Sequence, residues 1–468
     1  MIKRITHSPT KTRFALGLLA LTTLTGCASM QGKVEHAQAT PAAPKNVILM
    51  VGDGMGFGYL KAYRNFKDRA DTPEIDLTLF DQLLTGAVST DAKRATGLVT
   101  DSAAAATTYA TGYKTKNKAI GVDINDQHLK TVVEYAKENN RRTGLVSTSH
   151  INHATPAAFI AHVPSRKQYQ TITDHFFDNQ YQGKPQVDVI LGGGRSFFIR
   201  EEGKLLDMGA GSTFLLRDNR NLVEEFQTEG YQYLANKSDL KGATQDKLLG
   251  LFAPIGLPAA WDRDENTPSL ADMTDTALNT LDRSGDGFFL MVEGSQIDWG
   301  GHGNDILYIL SEMEDFERAI AKVLDFIKAN PDTLLIVTAD HETGGLSIGA
   351  NGNYGWDVEL LKNIHTTPVT LALKMSGASD TVKAFTELTS IVPTEAEAKT
   401  LIENRENKEK LITAIKSIIS RASFTGWTSP GHTGVDVPLM VHGAGTENLK
   451  GLIDNTDIGK LLIELNRR

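Results

Sequence analysis

The chain has 468 residues, of which 40% are hydrophobic, and its formal net charge is −9. A chain of this length and composition can bury a large core, which excludes an intrinsically disordered protein. The sequence contains no long basic run, so a nucleic-acid-binding surface is not expected. A strongly anionic ligand would have to be held by local positive groups, because the overall field repels it.

The first 26 residues predict an export signal peptide. Four basic residues lie within the first 13, and the apolar stretch 14–24 is too short to span a bilayer comfortably. Cys27 follows directly, in the sequence Leu-Thr-Gly-Cys. It is the only cysteine of the chain, so an intrachain disulfide is excluded.

The sequence around Cys27 resembles the lipobox of bacterial lipoproteins. The resemblance implies that residues 1–26 are removed, that Cys27 is lipidated, and that the protein is held on the periplasmic face of a bacterial membrane. Several acyl chains on one residue would make that anchor durable. Ala28, in place of Asp, favours the outer membrane. Residues 27–45, rich in Ala and with further Gln, Thr and Pro residues, predict a flexible tether. The alternative is an ordinary cleaved signal with an incidental cysteine.

Residues 46–468 predict one α/β domain. Short apolar runs recur at 46–51, 143–147, 187–191, 287–292, 333–338 and 437–441. Such runs are typical of strands buried on both faces of a parallel sheet. Helical patterns lie between them, at 131–139, 271–281 and 306–329. The alternation predicts a three-layer sandwich in which helices flank a mostly parallel central sheet.

Two stretches interrupt this alternation. Residues near 200–265 are polar and irregular. Residues near 350–425 contain a charged helical segment at 394–422, which is typical of an insertion or cap outside the central sheet.

Metal-binding residue types follow the apolar runs where strands are expected to end. They are Asp53 after the first run, Glu293, Asp298 and His302 after the fourth, Asp340 and His341 after the fifth, and His432 farther on. Open α/β sheets bind ligands beyond the carboxyl ends of their strands. Each residue alone is a weak signal, since a histidine beside glycine is usually a loop or core residue. Their repetition at strand ends indicates a metal centre.

The donor types distinguish the ions. Carboxylate oxygen and imidazole nitrogen together suit zinc. Asp298 and His302 lie four positions apart, so one helical turn could bring both onto one ion. Asp340 and His341 are adjacent and could serve the same site or neighbouring sites. Glu293, which has no histidine beside it, suits magnesium better.

Ser102 is the candidate nucleophile. It follows Asp101 and precedes a run of alanines, which favours a helix with Asp or Ser as its N-cap. One interpretation is that Ser102 only caps this helix. The other is that its hydroxyl receives a phosphoryl group, because free N–H groups at a helix N-terminus favour anions. The hydroxyl would then need a base or a metal to take its proton.

These motifs occur in the order found in the alkaline phosphatase family. The resemblance rests on the Asp53 motif, Asp-Ser-Ala-Ala at 101–104, Glu-Gly-x-x-Ile-Asp at 293–298, Thr-Ala-Asp-His at 338–341 and Gly-His-Thr-Gly at 431–434. It covers essentially all of residues 46–468. It implies hydrolysis of phosphate monoesters to alcohol and inorganic phosphate, through a phosphoserine on Ser102.

The resemblance also implies two zinc ions and one magnesium ion. Asp298, His302 and His432 would hold the first zinc. Asp53, Asp340 and His341 would hold the second zinc, and Asp53, Thr155 and Glu293 the magnesium.

Four further residues are implied around the substrate. Arg166 would clamp two phosphate oxygens, for which its planar fork is suited, and Asp101 would orient that guanidinium. His153 and Trp299 stand where the best-known bacterial pattern has Asp and Lys, so the chain resembles the branch that carries the His/Trp pair. We expect both side chains to line the substrate site.

The segment between His341 and His432 is longer than in that pattern and resembles the crown-type insertion found near dimer interfaces. Its helical part carries more apolar residues than a solvated helix needs: Leu401, Ile402, Leu411, Ile412, Ile415, Ile418 and Ile419. This predicts a homodimer in which residues 350–425 help to cover the neighbouring subunit.

Two other functions are open on the sequence alone. A phosphodiesterase, sulfatase or cofactor-independent phosphoglycerate mutase of the same superfamily would share the metal ligands but not the serine and arginine contexts. A non-catalytic, metal-binding lipoprotein would lack a nucleophile or a ligand, and none is missing. Histidines outside the motifs are interpreted as structural or surface residues: His36, His128, His175, His365 and His442.

Overall fold

The computed structural model describes residues 43–69, 71–199, 205–209, 212–215, 220–447 and 449–468. The predicted signal peptide, the lipidation site at Cys27 and most of the tether lie outside these residues. In the part that is described, no helix is both long and apolar enough to cross a bilayer. The Lys45 backbone N–H donates to the Asp332 carbonyl at 2.7 Å, so the end of the predicted tether is already held by the fold.

The strands in chain order are β1 (Asn46–Gly52), β2 (Leu84–Ser89), β3 (Arg142–His150), β4 (Gln180–Tyr181), β5 (Lys184–Pro185), β6 (Val189–Gly193), β7 (Leu205–Gly209), β8 (Ser212–Leu215), β9 (Gln232–Leu234), β10 (Leu248–Leu251), β11 (Phe288–Gly294), β12 (Thr333–Thr338), β13 (Glu342–Thr343), β14 (Ser347–Ile348), β15 (Thr425–Gly426), β16 (His432–Thr433), β17 (Val437–Gly443) and β18 (Gly451–Asp454).

The α-helices are α1 (Phe57–Lys67), α2 (Leu79–Leu83), α3 (Ser102–Thr111), α4 (Val132–Glu138), α5 (Ala154–Ala157), α6 (Tyr169–Asp178), α7 (Arg195–Phe198), α8 (Leu222–Thr228), α9 (Lys237–Leu240), α10 (Leu270–Leu281), α11 (Gln296–His302), α12 (Ile306–Ala329), α13 (Val358–Lys362), α14 (Pro368–Met375), α15 (Thr381–Thr389), α16 (Glu395–Glu403), α17 (Lys408–Ser423) and α18 (Asn455–Asn466).

A mostly parallel sheet organises the described residues. Its ten strands run in the order β18-β2-β17-β12-β1-β11-β3-β6-β10-β9, and β17 is antiparallel to both of its neighbours. The central strands β1, β11 and β12 are buried along their whole length, because their apolar residues face helices on both sides. The predicted α/β sandwich is confirmed, and each of the predicted apolar runs contributes a strand to this sheet.

Helices cover the sheet in two groups. In one group, α10 packs on α12 and contacts β3, β6 and β11. In the other, α18 packs on α3 and α4 and reaches β1. The predicted helices correspond to α4, α10 and α12, and capping boxes at Thr131 and Ser269 fix where α4 and α10 begin.

The register of the central strands determines where the site forms. Val51 of β1 lies opposite Glu293 of β11 and opposite Thr338 of β12. The carboxyl ends of these three parallel strands are therefore level, and the residues that follow them meet at one edge of the sheet.

The predicted insertion forms helices α13 to α17. The segment 394–422 is not one helix, because residues 404–407 separate α16 from α17. Most of its apolar stripe is buried within the subunit, as Leu401, Leu411 and Ile415 illustrate, whereas Ile402 is 51% exposed.

Candidate active site

Three buried carboxylates meet at the carboxyl end of the central strands. Asp53 follows β1, Glu293 lies near the end of β11, and Asp340 follows β12. All three are fully buried. Because an ionised carboxylate is costly to bury without a compensating charge, these groups must either be protonated or lie beside a cation.

A first donor cluster is formed by Asp298, His302 and His432. Helix α11 brings His302 Nε2 to 3.5 Å from Asp298 Oδ2, and His432 Nε2 lies 3.7 Å from Asp298 Oδ1. The Nδ1 atoms lie 2.6 Å from the Pro430 carbonyl and 2.8 Å from the Thr100 carbonyl. Since a carbonyl only accepts, each Nδ1 carries a proton. The two Nε2 lone pairs are left for a cation.

A second donor cluster is formed by Asp53, Asp340 and His341. His341 Nε2 lies 3.5 Å from Asp53 Oδ1 and 3.3 Å from Asp340 Oδ2. Asp340 Oδ1 accepts hydrogen bonds from the backbone N–H groups of Gly54 and His341, which fixes the orientation of the carboxylate. Its second oxygen is thereby directed into the cluster.

A third donor cluster contains Asp53, His153 and Glu293, so Asp53 is shared with the second cluster. Glu293 Oε2 accepts from the Ser147 hydroxyl at 2.9 Å. Thr155, which the resemblance assigns to this site, is fully buried on α5. His153 was not expected in a donor cluster, because the family resemblance implied a place beside the substrate and not at a metal.

Unpartnered polar atoms show that the second and third clusters fit cations. Among the described residues, the buried oxygen atoms without a hydrogen-bond partner include Asp53 Oδ1 and Oδ2, Asp340 Oδ2, Glu293 Oε1 and Thr155 Oγ1. Leaving so many buried acceptors unsatisfied at one point is costly. Within each cluster the candidate ligand atoms all lie within 4.8 Å of one another. A shared cation would satisfy them.

The electrostatics of the site lead to the same conclusion. Burial raises the pKa of Asp53 well above its ordinary value, and the Asp340 carboxylate adds to the effect. Burial also raises the pKa of Asp340, and that of Glu293 to about 7. Burial lowers the pKa of His341, so its ring stays neutral and can donate a lone pair.

Ser102 lies beside these clusters as the first residue of α3. The N-cap of this helix is Asp101, whose side chain accepts from the Ala104 N–H at 3.0 Å, so the hydroxyl of Ser102 is not the cap. The Ser102 hydroxyl oxygen lies 3.2 Å from His341 Nε2 and 3.5 Å from Arg166 Nη1. The interpretation of Ser102 as a mere helix cap is therefore wrong.

Arg166 connects the serine to the third cluster. Its Nη1 donates to Asp101 Oδ2 at 3.2 Å, and its Nη2 lies 3.0 Å from His153 Nε2. Asp101 is itself fixed by the Lys118 N–H, which donates to both carboxylate oxygens at 3.0 Å. The rings of His153 and Trp299 meet edge to face, with centroids 6.3 Å apart. All four residues predicted around the phosphate thus lie together.

Thr343 is a site residue that the sequence reasoning did not identify. Its hydroxyl lies 2.5 Å from Asp298 Oδ1 and 3.2 Å from His341 Nδ1, and so links the first two clusters. Its position two residues after His341, just beyond the Thr-Ala-Asp-His motif, is the feature of the sequence that could have indicated its place in the site.

Comparison with known proteins agrees with this geometry. The family model described as alkaline phosphatase matches residues 44–467. Alkaline phosphatase 3 of Bacillus subtilis is 46% identical over 421 residues, which cover 89% of this chain and 87% of that protein.

Solved structures give the same result. The crystal structure of a cold-active alkaline phosphatase from a psychrophilic Shewanella species superposes with a TM-score of 0.82 at 42% identity, covering 90% of this chain and all of that one. A histidine-to-glutamate variant of TAB5 alkaline phosphatase, with magnesium bound in its M3 site, is 27% identical, with a TM-score of 0.65 and coverage of 92% of this chain and 99% of that one. The chain belongs to the alkaline phosphatase family and is a phosphoric monoester hydrolase.

Proposed function

We propose that this alkaline phosphatase transfers the phosphoryl group of a monoester to Ser102 and then to water. The observation that carries the proposal is the position of the Ser102 hydroxyl, between His341 Nε2 at 3.2 Å and Arg166 Nη1 at 3.5 Å. A nucleophile in this position has a metal-ligand cluster on one side and a phosphate-binding cation on the other.

The donor clusters support two zinc ions and one magnesium ion. Zinc would be held by Asp298, His302 and His432, and by Asp53, Asp340 and His341; magnesium would be held by Asp53, Thr155 and Glu293. The magnesium in the M3 site of the TAB5 variant shows that a relative of this chain can hold that ion once one of its histidines is replaced by glutamate. When bound, these cations supply the positive charge that favours an ionised serine hydroxyl and stabilises charge on the oxygens around phosphorus.

The side chains and backbone of the chain bind and orient the phosphate. The N–H groups at the start of α3 and the Arg166 guanidinium favour an anion beside Ser102. The Ser102 oxygen loses its proton and attacks phosphorus, a new O–P bond forms, the bond to the leaving oxygen breaks, and that oxygen takes up a proton to leave as the alcohol. Water then displaces the serine oxygen, which releases inorganic phosphate and restores the hydroxyl.

Arg166→Ala is expected to lower kcat/KM for a phosphate monoester by roughly 10- to 100-fold, since charge-assisted hydrogen bonds to two oxygens are lost. A phosphodiester offers fewer charged oxygens, so its slow turnover should change much less. Steady-state kinetics on a matched monoester and diester measure both. Arg318→Ala, at a side chain that is 63% exposed, is the control. Equal losses on both substrates would show that Arg166 does not recognise the dianion, and wild-type preference for the diester would favour the phosphodiesterase alternative.

The membrane anchor is a separate proposal, supported by the residues around Cys27. Cys27→Ser is expected to give a fully active enzyme in the soluble fraction, because the tether separates the anchor from the fold. Fractionation of cells that express the wild type and the variant measures this. A variant that still sediments with membranes would overturn the assignment of Cys27.

We also propose a homodimer, although most of the apolar residues of α16 and α17 that led to this prediction are buried within their own subunit. Exposed apolar residues remain in the insertion, among them Leu373 at 53%, Val392 at 77% and Ile402 at 51%. Light scattering at micromolar concentration is expected to give twice the mass of the chain. The double substitution Val392→Glu and Ile402→Glu should shift that mass toward the monomer, whereas Val435→Glu outside the insertion should not. A monomeric mass for the wild type would contradict the dimer and show that the insertion covers only its own subunit.

A further inference from the structure

A fourth donor cluster lies outside the active site. It consists of His128, Glu134 and His162, whose candidate ligand atoms lie within 4.8 Å of one another. His128 Nε2 is 3.3 Å from Glu134 Oε1, and His162 Nε2 is 3.7 Å from Glu134 Oε2. None of these residues belongs to the clusters described above.

The orientation of His162 is fixed by the backbone. Its Nδ1 lies 2.8 Å from the Gly121 carbonyl, and because a carbonyl only accepts, Nδ1 carries a proton and Nε2 is left to face Glu134. The Glu134 carboxylate is in turn held by the Thr131 N–H, which donates to Oε2 at 2.7 Å. Histidine ligands of metals are typically oriented in this way, with the second ring nitrogen donating to a carbonyl.

The spacing and exposure of the three groups suit a small divalent cation. Ligand atoms about 2.0–2.1 Å from a tetrahedral zinc lie about 3.4 Å from one another, close to the contacts seen here. The side chains of His162 and Glu134 are 10% and 17% exposed, whereas that of His128 is 56% exposed. The cluster therefore opens to solvent on one side, through which an ion and a water ligand can enter.

An ion pair or a helix cap explains only part of this arrangement. Glu134 completes the capping box of α4, and a protonated His128 could pair with it. Neither role requires a second imidazole nitrogen directed at the same carboxylate. The stacking of the His128 and His162 rings, with centroids 3.5 Å apart, brings the two histidines together at this point.

We propose that His128, Glu134 and His162 bind a zinc-type divalent cation at a site separate from the catalytic ions. Two imidazole nitrogens and one carboxylate form a donor set that suits zinc. The site would join α4 to two segments that already pair with each other, through the bridge between Ile120 and Val163. Arg166 lies just beyond, and its N–H donates to the Lys118 carbonyl at 2.8 Å. The ion would therefore stabilise the start of the loop that carries Arg166, while Asp101 and the Lys118 carbonyl hold Arg166 itself with or without the ion.

Metal counting on the full-length protein tests this site. The wild type and His128→Ala are equilibrated at the same buffered concentration of free Zn²⁺. The number of zinc ions per chain is then measured by inductively coupled plasma mass spectrometry. His128→Ala is expected to hold one zinc fewer than the wild type and to keep its monoester turnover at saturating zinc. His442→Ala, at another exposed histidine, is the control and should match the wild type.

Glu134→Gln provides a second variant, because it removes the charge but keeps an oxygen that can accept the capping hydrogen bond. It should lose the same single zinc. Equal zinc content in the wild type, His128→Ala and Glu134→Gln over the whole range of free Zn²⁺ would overturn the proposal. An equal loss in His442→Ala would also overturn it, since it would indicate nonspecific surface binding.

Discussion

Ser102→Ala is expected to lower monoester turnover by about a thousandfold or more, because it removes the proposed covalent nucleophile and with it the pathway that depends on that group. The variant should still bind metals, since the substitution leaves all Asp, Glu and His residues of the donor clusters in place. Some hydrolysis should persist, because Arg166 and the bound cations can still position a phosphate for direct attack by water. Turnover and metal content measured on the same preparation separate these effects.

The control for this substitution is Ser284→Ala, at an exposed serine far from the site. It should leave turnover at the wild-type level. Ser102→Ala with near-normal turnover would show that another group receives the phosphoryl group or that no covalent step occurs. Loss of turnover together with loss of zinc would instead assign Ser102 a structural role in the metal centre.

Asp53→Asn is expected to cause a loss of similar size, because Asp53 contributes to both the second and the third cluster. A deficit of about 4 kcal/mol in transition-state stabilisation, which is roughly a thousandfold in rate, is reasonable for a site that loses metal ions. Zinc and magnesium content should fall together. Asp305→Asn is the matched control, since Asp305 is also a buried aspartate but caps α12 instead of joining a cluster.

The same substitution should stabilise the metal-free protein. Burial and the Asp340 carboxylate raise the pKa of Asp53, so the folded metal-free state favours the protonated acid. That preference stabilises the fold at low pH and is lost as the pH rises above the ordinary value of an aspartate, about 3.9, toward the raised folded value. Asparagine cannot ionise, so chelator-treated Asp53→Asn should unfold at a higher temperature than chelator-treated wild type near pH 7. A lower unfolding temperature would show that the substitution damages the fold and not the metal site.

The sequence allowed the centre of the sheet, and the edge at which its Asp, Glu and His residues meet, to be predicted. Strands such as β1 and β12 are continuous apolar runs because both of their faces are buried, and that pattern is local. The edge strands β9 and β18 were not predicted. They are short and partly exposed, so their pairing depends on neighbours that are distant in the sequence.

Two further features could be interpreted only from the three-dimensional structure: the position of His153 in the site and the apolar face of the insertion. His153 approaches Asp53 and Glu293 only because β1, β3 and β11 are adjacent, and no spacing along the chain records this. The apolar face of the helices in the insertion was identified correctly from the sequence, but it was interpreted as a contact with a second subunit. An amphipathic pattern shows that a helix face is covered, but it does not show whether the same subunit or a second copy covers it.

Phosphopeptide mapping of the wild-type enzyme tests the central claim most directly. The enzyme is mixed with a phosphate monoester at acidic pH, quenched with acid during turnover and digested, and the peptides are sequenced by mass spectrometry. We predict one phosphorylated residue, Ser102, whose label appears within the first turnover and disappears when the substrate is exhausted. A phosphate on any other side chain, or an unmodified Ser102 while product accumulates, would contradict the account.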